Sequence, residues 1–312
     1  MKLKVETKSI GFILRNMEKT SLRFHFYHPI VHLIYFLGLM VLATLISHPG
    51  YLTIFLLLLI ILQFTYNGGR QLKNWSVYIV LLLLFIIIIN PLMNRRGSHI
   101  LFYLGENPIM LEGLVYGIRM ALSLVCILFI FFVFNVILTD IKLFYLFGKI
   151  APKSALLSIL TMRFVPLLKR RLNEIIMVQR RRAITTDHGK LKQKLRSGMI
   201  IIQVLLTWSL EDAIQTADSM KARGYDSKAR SMYQRYYFTS SDLITIGSLL
   251  FLILIILFGF LNFGSGNLTI YPELQLKAIS GSEVYFLLPF CLYISLPLLI
   301  ELKEWIRWKF FA

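Results

Sequence analysis

Long apolar runs are the feature that most restricts how this chain can fold. Residues 81–89 read L-L-L-L-F-I-I-I-I, and a transmembrane helix needs roughly 17–25 predominantly apolar residues in a row. We predict one span in each of six runs: 30–47, 51–66, 76–93, 114–138, 242–263 and 284–300. Hydrophobic residues make up 57% of the chain, above the roughly 45–50% that is usual in soluble domains. The predicted fold class is an all-α polytopic membrane protein with about six transmembrane helices.

The Lys and Arg residues indicate the orientation, because short cytoplasmic loops carry an excess of them. The N-terminal 1–28, the 67–75 loop and the tail 301–312 are basic, whereas the loops 94–113 and 264–283 are nearly balanced. With six spans, the three basic segments fall on one side. We therefore expect both termini in the cytoplasm.

The same patterns divide the chain into four segments. In order, these are a cytoplasmic N-terminal segment 1–29, a membrane part with four spans 30–138, a cytoplasmic helical module 139–241, and two further spans with a basic cytoplasmic tail 242–312. The module holds 19 Lys/Arg against 7 Asp/Glu, and the chain as a whole has a net charge of +18. Most of that charge therefore lies in one cytoplasmic block.

Membrane lipid and an acidic protein surface are the partners that this basic block favours. Each Lys or Arg near an anionic leaflet contributes on the order of 1 kcal/mol. Nucleic acid is not expected, because no zinc-ligand spacing, stacking motif or recognition helix accompanies the charge.

The module is predicted to be helical throughout. The segments 141–150, 155–168 and 198–210 are apolar or amphipathic, and the last has 13 residues, too few to cross a bilayer. We expect them to lie along the inner membrane face with their apolar sides toward lipid. Two polar helices, about 166–184 and 205–224, are expected to extend from that layer.

Each polar helix ends in an arginine followed by a small residue, at Arg182-Ala183 and at Arg223-Gly224. Glycine is a common helix stop because it adopts the left-handed conformation without steric cost, and arginine complements the dipole at a helix C-terminus. A structural cap therefore explains either motif by itself. Likewise, Arg180 to Arg182 are explained by a positive-inside cluster.

The combination of motifs resembles one family. The stretches R-F-V-P-L-L (163–168), V-Q-R-R-R-A (178–183) and A-D-S-M-K-A-R-G-Y (217–225) are similar to those of the transmembrane T component of energy-coupling factor transporters, a scaffold subunit also seen in cobalt and biotin importers. The resemblance implies a prokaryotic cell-membrane protein that couples ATP hydrolysis to vitamin or metal-ion uptake. It also implies three partners: two ABC ATPase subunits and a substrate-binding S component.

Each of the two coupling helices of the family docks in a groove on one ATPase subunit. Carried over to this chain, Ala222, Arg223 and Gly224 form the second coupling motif. The first motif falls on Arg181, Arg182 and Ala183, where Arg181 occupies a position that is small in the family and competes with Arg182 for the docking role.

Chemistry beyond docking is not expected from this chain. It contains no G-x-x-x-x-G-K-[ST], H-E-x-x-H or G-x-S-x-G motif, so we predict no catalytic residue, no cofactor and ATP hydrolysis in the partner subunits. His25, His28 and His32 lie close together in sequence, and interfacial anchoring is favoured over a metal site. Arg119 lies within the predicted span 114–138, close to its outer end.

A second class of function is also compatible with the sequence. A self-sufficient membrane carrier, or a membrane-bound enzyme, could have a basic cytoplasmic block that binds only lipid. The two hypotheses differ in their partners, because only a T component should bring two ATPase subunits through purification.

Overall fold

The computed structural model of the chain describes residues 23–68, 70–94, 97–104, 107–181, 191–225, 236–268 and 281–311. The described residues form nine α-helices and one two-stranded antiparallel sheet. In chain order the elements are α1 (Pro29–Leu45), α2 (Pro49–Asn67), α3 (Arg70–Met93), β1 (Ile100–Leu104), β2 (Asn107–Met110), α4 (Leu111–Ile137), α5 (Asp140–Ile150), α6 (Pro152–Arg181), α7 (Leu191–Ala222), α8 (Ser240–Phe263) and α9 (Gly281–Phe311). A 3₁₀ turn, Arg23–Phe26, precedes α1.

The chain divides into two compact units. One, the membrane unit, comprises Met1–Asp140 and Tyr236–Ala312; the other, the module unit, is Ile141–Arg235. In the membrane unit α4 packs against α1, α2 and α3, while α9 packs against α2 and α8. The module unit contains α6 and α7, which pack against each other.

Two histidine-proline pairs begin the first two helices. The Nδ1 atom of His28 accepts a hydrogen bond from the Ile30 N–H at 3.2 Å, and that of His48 accepts one from the Gly50 N–H at 3.1 Å. The proline that follows each histidine has the backbone angle of a first helical residue and no N–H to leave unsatisfied. Local sequence therefore sets where α1 and α2 start.

Hydrogen bonds between distant residues show which helix ends share a face of the membrane unit. On one face, Glu301 near the end of α9 accepts from the Phe24 N–H at 3.0 Å and from the Tyr66 hydroxyl at 3.3 Å. On the other face, the Gly266 carbonyl after α8 accepts from the N–H groups of Ser47 and His48, between α1 and α2. The helices α1, α2, α8 and α9 therefore alternate in direction.

Helix α4 runs antiparallel to α1. The Ser123 hydroxyl donates to the Ala43 carbonyl at 2.7 Å near the end of α1. Later in α4, the ring of Phe134 lies 5.4 Å between centroids from that of Phe36, about two turns nearer the start of α1. Since α4 follows α3 and the β-hairpin, α3 crosses in the opposite sense. The described part of the membrane unit thus contains six alternating helices at the six predicted spans.

Helix length and composition alone select six candidate membrane spans, and this set differs slightly from the six predicted spans. Among the described residues, six helices are long and apolar enough to cross a membrane, and they lie within α2, α3, α4, α7, α8 and α9. Helix α1 has 17 residues, the lower limit for a span. The expectation that 198–210 forms a separate short helix is wrong, because that run lies inside the 32-residue α7.

The prediction of two separate helices at 155–168 and about 166–184 is also wrong. Residues Pro152–Arg181 form one 30-residue helix with Pro166 inside it. A proline removes a single backbone donor from the helix interior, and in α6 the flanking turns continue across it. The predicted helix at 141–150 is confirmed as α5.

Candidate functional site

The predicted second motif lies at the end of α7. Ala222 is the last helical residue and Gly224 has a φ of 78°, in the left-handed region. The Tyr225 N–H bonds to the Met220 carbonyl at 3.0 Å and the Gly224 N–H to the Lys221 carbonyl at 2.9 Å. This pair of bonds defines a Schellman motif. The glycine therefore ends the helix, as the sequence predicted.

The same geometry exposes the arginine. Ala222, Arg223 and Gly224 are all solvent-exposed, and among the described residues the Arg223 guanidinium forms no ion pair. Its small neighbours on both sides leave the helix end open to close approach. A guanidinium has five donors in a rigid fork that matches a carboxylate, so this end can bind an acidic partner group.

The first motif is described in part. Arg181 is the last residue of α6 and is exposed, while Arg182 and Ala183 lie outside the described residues. Gln179, two residues earlier, is buried, and its side-chain oxygen has no hydrogen-bond partner in the described part of the chain. The choice between Arg181 and Arg182 as the docking arginine stays a prediction.

A cation–π contact is part of the packing between the two helices that carry the motifs. The guanidinium of Arg171 in α6 lies 4.7 Å from the ring centroid of Trp208 in α7, and its Nη1 atom is 2.8 Å from a carboxylate oxygen of Glu174. Arg181 lies ten residues beyond this contact and Arg223 fifteen beyond it. At 1.5 Å per residue these ends project about 15 and 22 Å. Each of the two helices thus extends well beyond this contact to a cationic end.

The N-terminal histidines act within the fold. His28 caps α1, and the Nε2 atom of the buried His32 donates to the Phe24 carbonyl at 2.8 Å. The ring of His25 contacts that of Phe26. Among the described residues no group of three or more His, Cys, Asp or Glu side chains could hold a metal ion.

Arg119 lies in the first half of α4, with its guanidinium 5.8 Å from the ring centroid of Tyr116. It is partly exposed. Cys126 is buried and its thiol donates to the Leu52 carbonyl at 3.6 Å. Packing contacts within the fold therefore account for both Arg119 and Cys126.

Sequence reasoning missed two buried carboxylates. Glu112, fully buried at the start of α4, accepts from the backbone N–H groups of Ser98 and His99 and from both of their side chains at 2.9–3.4 Å. Asp242, at the start of α8, belongs to a capping box with Thr239. The T-x-x-D spacing at 239–242 was a visible signal for the second, whereas the partners of Glu112 depend on the β-hairpin, which was not predicted.

The fold and the exposed motif together define a class: a multi-pass membrane protein with a separate helical module whose helix ends carry exposed arginines. The chain belongs to the CbiQ family, described as cobalt transport protein, whose family model matches residues 22–234. The resemblance to energy-coupling factor T components is thereby confirmed.

Curated relatives agree with that assignment, and all three compared here are named energy-coupling factor transporter transmembrane protein EcfT. The protein from Bacillus subtilis (strain 168) is 25% identical over 191 residues, covering 58% of this chain and 72% of the relative. Its counterpart in Streptococcus thermophilus is 28% identical over 202 residues, covering 61% and 74%. The protein from Macrococcus caseolyticus is 23% identical over 246 residues, covering 75% and 92%.

Proposed function

We propose that this chain is the energy-transducing scaffold of an energy-coupling factor importer. In this role it couples ATP hydrolysis by two partner ATPase subunits to uptake of a vitamin or metal ion through a substrate-binding S component. Membership of the CbiQ family and the names of the relatives support the transporter class. The observation that carries the coupling role is the exposed Arg223 on a glycine-terminated helix end.

A helix end that pushes on a partner must do so without slipping. A bidentate guanidinium–carboxylate pair has a fixed geometry, and the small residues beside Arg223 allow the helix end to seat closely. Truncating one partner of such a buried charged pair costs about 2–5 kcal/mol. We assign Arg223 to one ATPase subunit and Arg182, with Arg181 as its rival, to the other.

The module unit is placed on the cytoplasmic side of a prokaryotic cell membrane in this proposal. Its excess of Lys and Arg favours that side. Both chain passages to the module, after α4 and before α8, leave the membrane unit at the face that also carries the 3₁₀ turn and the end of α9. Both termini are then cytoplasmic as well.

The apolar half of α7 provides a second contact surface. Leu195, Met199, Ile202 and Leu206 are exposed and follow a 4-3-4 spacing along one face of the helix. Helices with such a stripe bind apolar partners or the membrane interface. We assign this stripe to contact with lipid and with the S component. The chain itself performs no catalysis in this scheme.

Co-purification tests the proposal. The double variant Arg182→Glu/Arg223→Glu is expected to lose both ATPase subunits and ATP-dependent uptake, while still inserting into the membrane. Arg223→Lys keeps the charge and loses the fork, so it should retain the subunits only in part. Arg196→Glu reverses a charge at the other end of α7 and serves as the matched control.

A cap-only role predicts a different result. The double variant would then be somewhat less stable, and the surviving protein would still carry both ATPase subunits. Recovery of the subunits at the wild-type level would therefore refute the coupling role. A wild-type chain that purifies alone would favour the carrier or enzyme alternative.

A further inference from the structure

The chain returns from the module unit to the membrane unit at a joint formed by His28, Tyr236, Phe238, Thr239 and Asp242. Asp242, in the first turn of α8, is 2% exposed. Its Oδ2 atom accepts from the Thr239 N–H at 2.8 Å and from the Thr239 hydroxyl at 2.7 Å. Its Oδ1 atom accepts from the His28 N–H at 3.0 Å. One carboxylate thus joins two segments that are 214 residues apart.

Aromatic contacts also hold the joint together. The ring of His28 lies 5.2 Å from that of Phe238 and 6.3 Å from that of Tyr236, measured between centroids. His28 also caps α1 through its Nδ1 atom. The residues that immediately precede α8 are therefore held against the residue that begins α1.

A helix cap alone does not account for these contacts. The capping box between Thr239 and Asp242 uses only one carboxylate oxygen, since Oδ2 accepts from the Thr239 N–H; the Thr239 hydroxyl donates to the same oxygen. The second oxygen binds a backbone donor outside the helix. A buried carboxylate needs hydrogen bonds to offset the loss of water. The His28 N–H is therefore required to satisfy the Oδ1 atom of Asp242.

The opposite chain passage differs. Asp140, at the start of α5 where the chain leaves the membrane unit, is exposed, and within the described residues its carboxylate accepts no hydrogen bond. Of the two passages, the returning one is thus fastened by a buried carboxylate.

We propose that Asp242 is a positioning residue for energy coupling. It fixes the returning chain to α1 and α8 together, so that a movement of the module reaches both helices instead of being absorbed in the connection. The inference rests on the proposed function, because it assumes that ATPase subunits move the module.

The test uses the complete complex in lipid nanodiscs. Cys126 and Cys291 are replaced by Ala, and Leu261, an exposed residue near the far end of α8, is changed to Cys and labelled with an environment-sensitive fluorophore. The reporter signal is compared without nucleotide and with MgATP plus vanadate. ATP hydrolysis, subunit content and the melting temperature are measured on the same samples.

Asp242→Asn keeps the shape of the side chain but replaces one acceptor oxygen with an amide NH₂ group. That group would face a hydrogen-bond donor. We expect the Asp242→Asn complex to retain the ATPase subunits and their ATP hydrolysis. Its nucleotide-dependent change in reporter fluorescence should be at least threefold smaller than that of the wild type. Asp140→Asn makes the same charge change at the other passage and should behave like the wild type. If Asp242→Asn fails to assemble, Thr239→Val removes one of the three bonds and should also reduce the signal.

Three results would overturn the inference: full signal in Asp242→Asn with only a lower melting temperature, full signal in an assembled Thr239→Val complex, or a wild-type reporter that ignores nucleotide. Absence of ATPase subunits from the wild-type preparation is a different failure. It refutes the proposed function and, with it, the premise of this inference.

Discussion

The packing of α8 against α9 depends on a glycine that cannot become an alanine without displacing an aromatic ring. Gly259 is buried in α8, and a methyl group built there falls on the ring of Phe286, with two ring carbons at 2.6 Å. Gly247, three turns earlier on the same helix, is exposed and has no atom within 4 Å of the same methyl position. The two positions form a matched pair for one substitution.

The magnitudes separate the two variants. Gly→Ala within a helix gains about 1 kcal/mol from helix propensity at either position. At Gly259 the Phe286 ring must also move, and overpacking of this kind costs about 1–3 kcal/mol. Phe286 contacts Phe263 at 5.3 Å between centroids, so the displacement spreads to a second ring. Gly247→Ala should therefore be more stable than Gly259→Ala by about 1–3 kcal/mol.

Thermal unfolding in detergent, followed by tryptophan fluorescence, measures the difference. A change of 1 kcal/mol shifts the melting temperature by roughly 2–4 °C in proteins of 150–250 residues, so a separation of a few degrees is expected, with Gly247→Ala above Gly259→Ala. Equal melting temperatures for the two variants would show that Phe286 does not lie against Gly259, and the α8–α9 packing described here would be wrong.

Three further predictions concern topology, the module and pH. A cysteine at Tyr103 in the β-hairpin should be labelled from outside intact cells and one at Lys190 should not; labelling at Lys190 would contradict the cytoplasmic module. Ile201 is buried in α7, so Ile201→Glu should lower the melting temperature or release the S component while ATPase binding remains, and an unchanged protein would refute a buried role for this position. Burial lowers the pKa of Lys142 in α5 from 10.5 to about 8. Between these values the unfolded chain holds the proton that the native state has lost, so stability should rise with pH from 8 toward 10.5 by up to about 3 kcal/mol. Melting temperatures at pH 7 and pH 10 check this, because Lys142→Met should remove the rise, and an equal rise in both proteins would contradict it.

Local sequence was sufficient for the spans and for one of the two motifs. A helix in lipid must satisfy its backbone groups within its own segment, so each span is encoded by a continuous apolar run. The end of α7 at Gly224 is equally local, because the left-handed turn involves the residues from Met220 to Tyr225. The β-hairpin was missed, since two short strands are stable only through contacts with other elements, here with α3 and α4.

The sequence by itself determined that the chain spans a membrane about six times and that an Arg-Gly pair ends a helix in its basic segment. Only the tertiary structure decided that α6 continues through Pro166, that Glu112 binds Ser98 and His99, and that Asp242 binds the backbone of His28. The physical reason is how far apart in the sequence the interacting residues lie. Hydropathy and helix ends depend on residues within a run or a turn, whereas the donors of a buried carboxylate are chosen by packing between segments that the sequence separates by up to 214 residues.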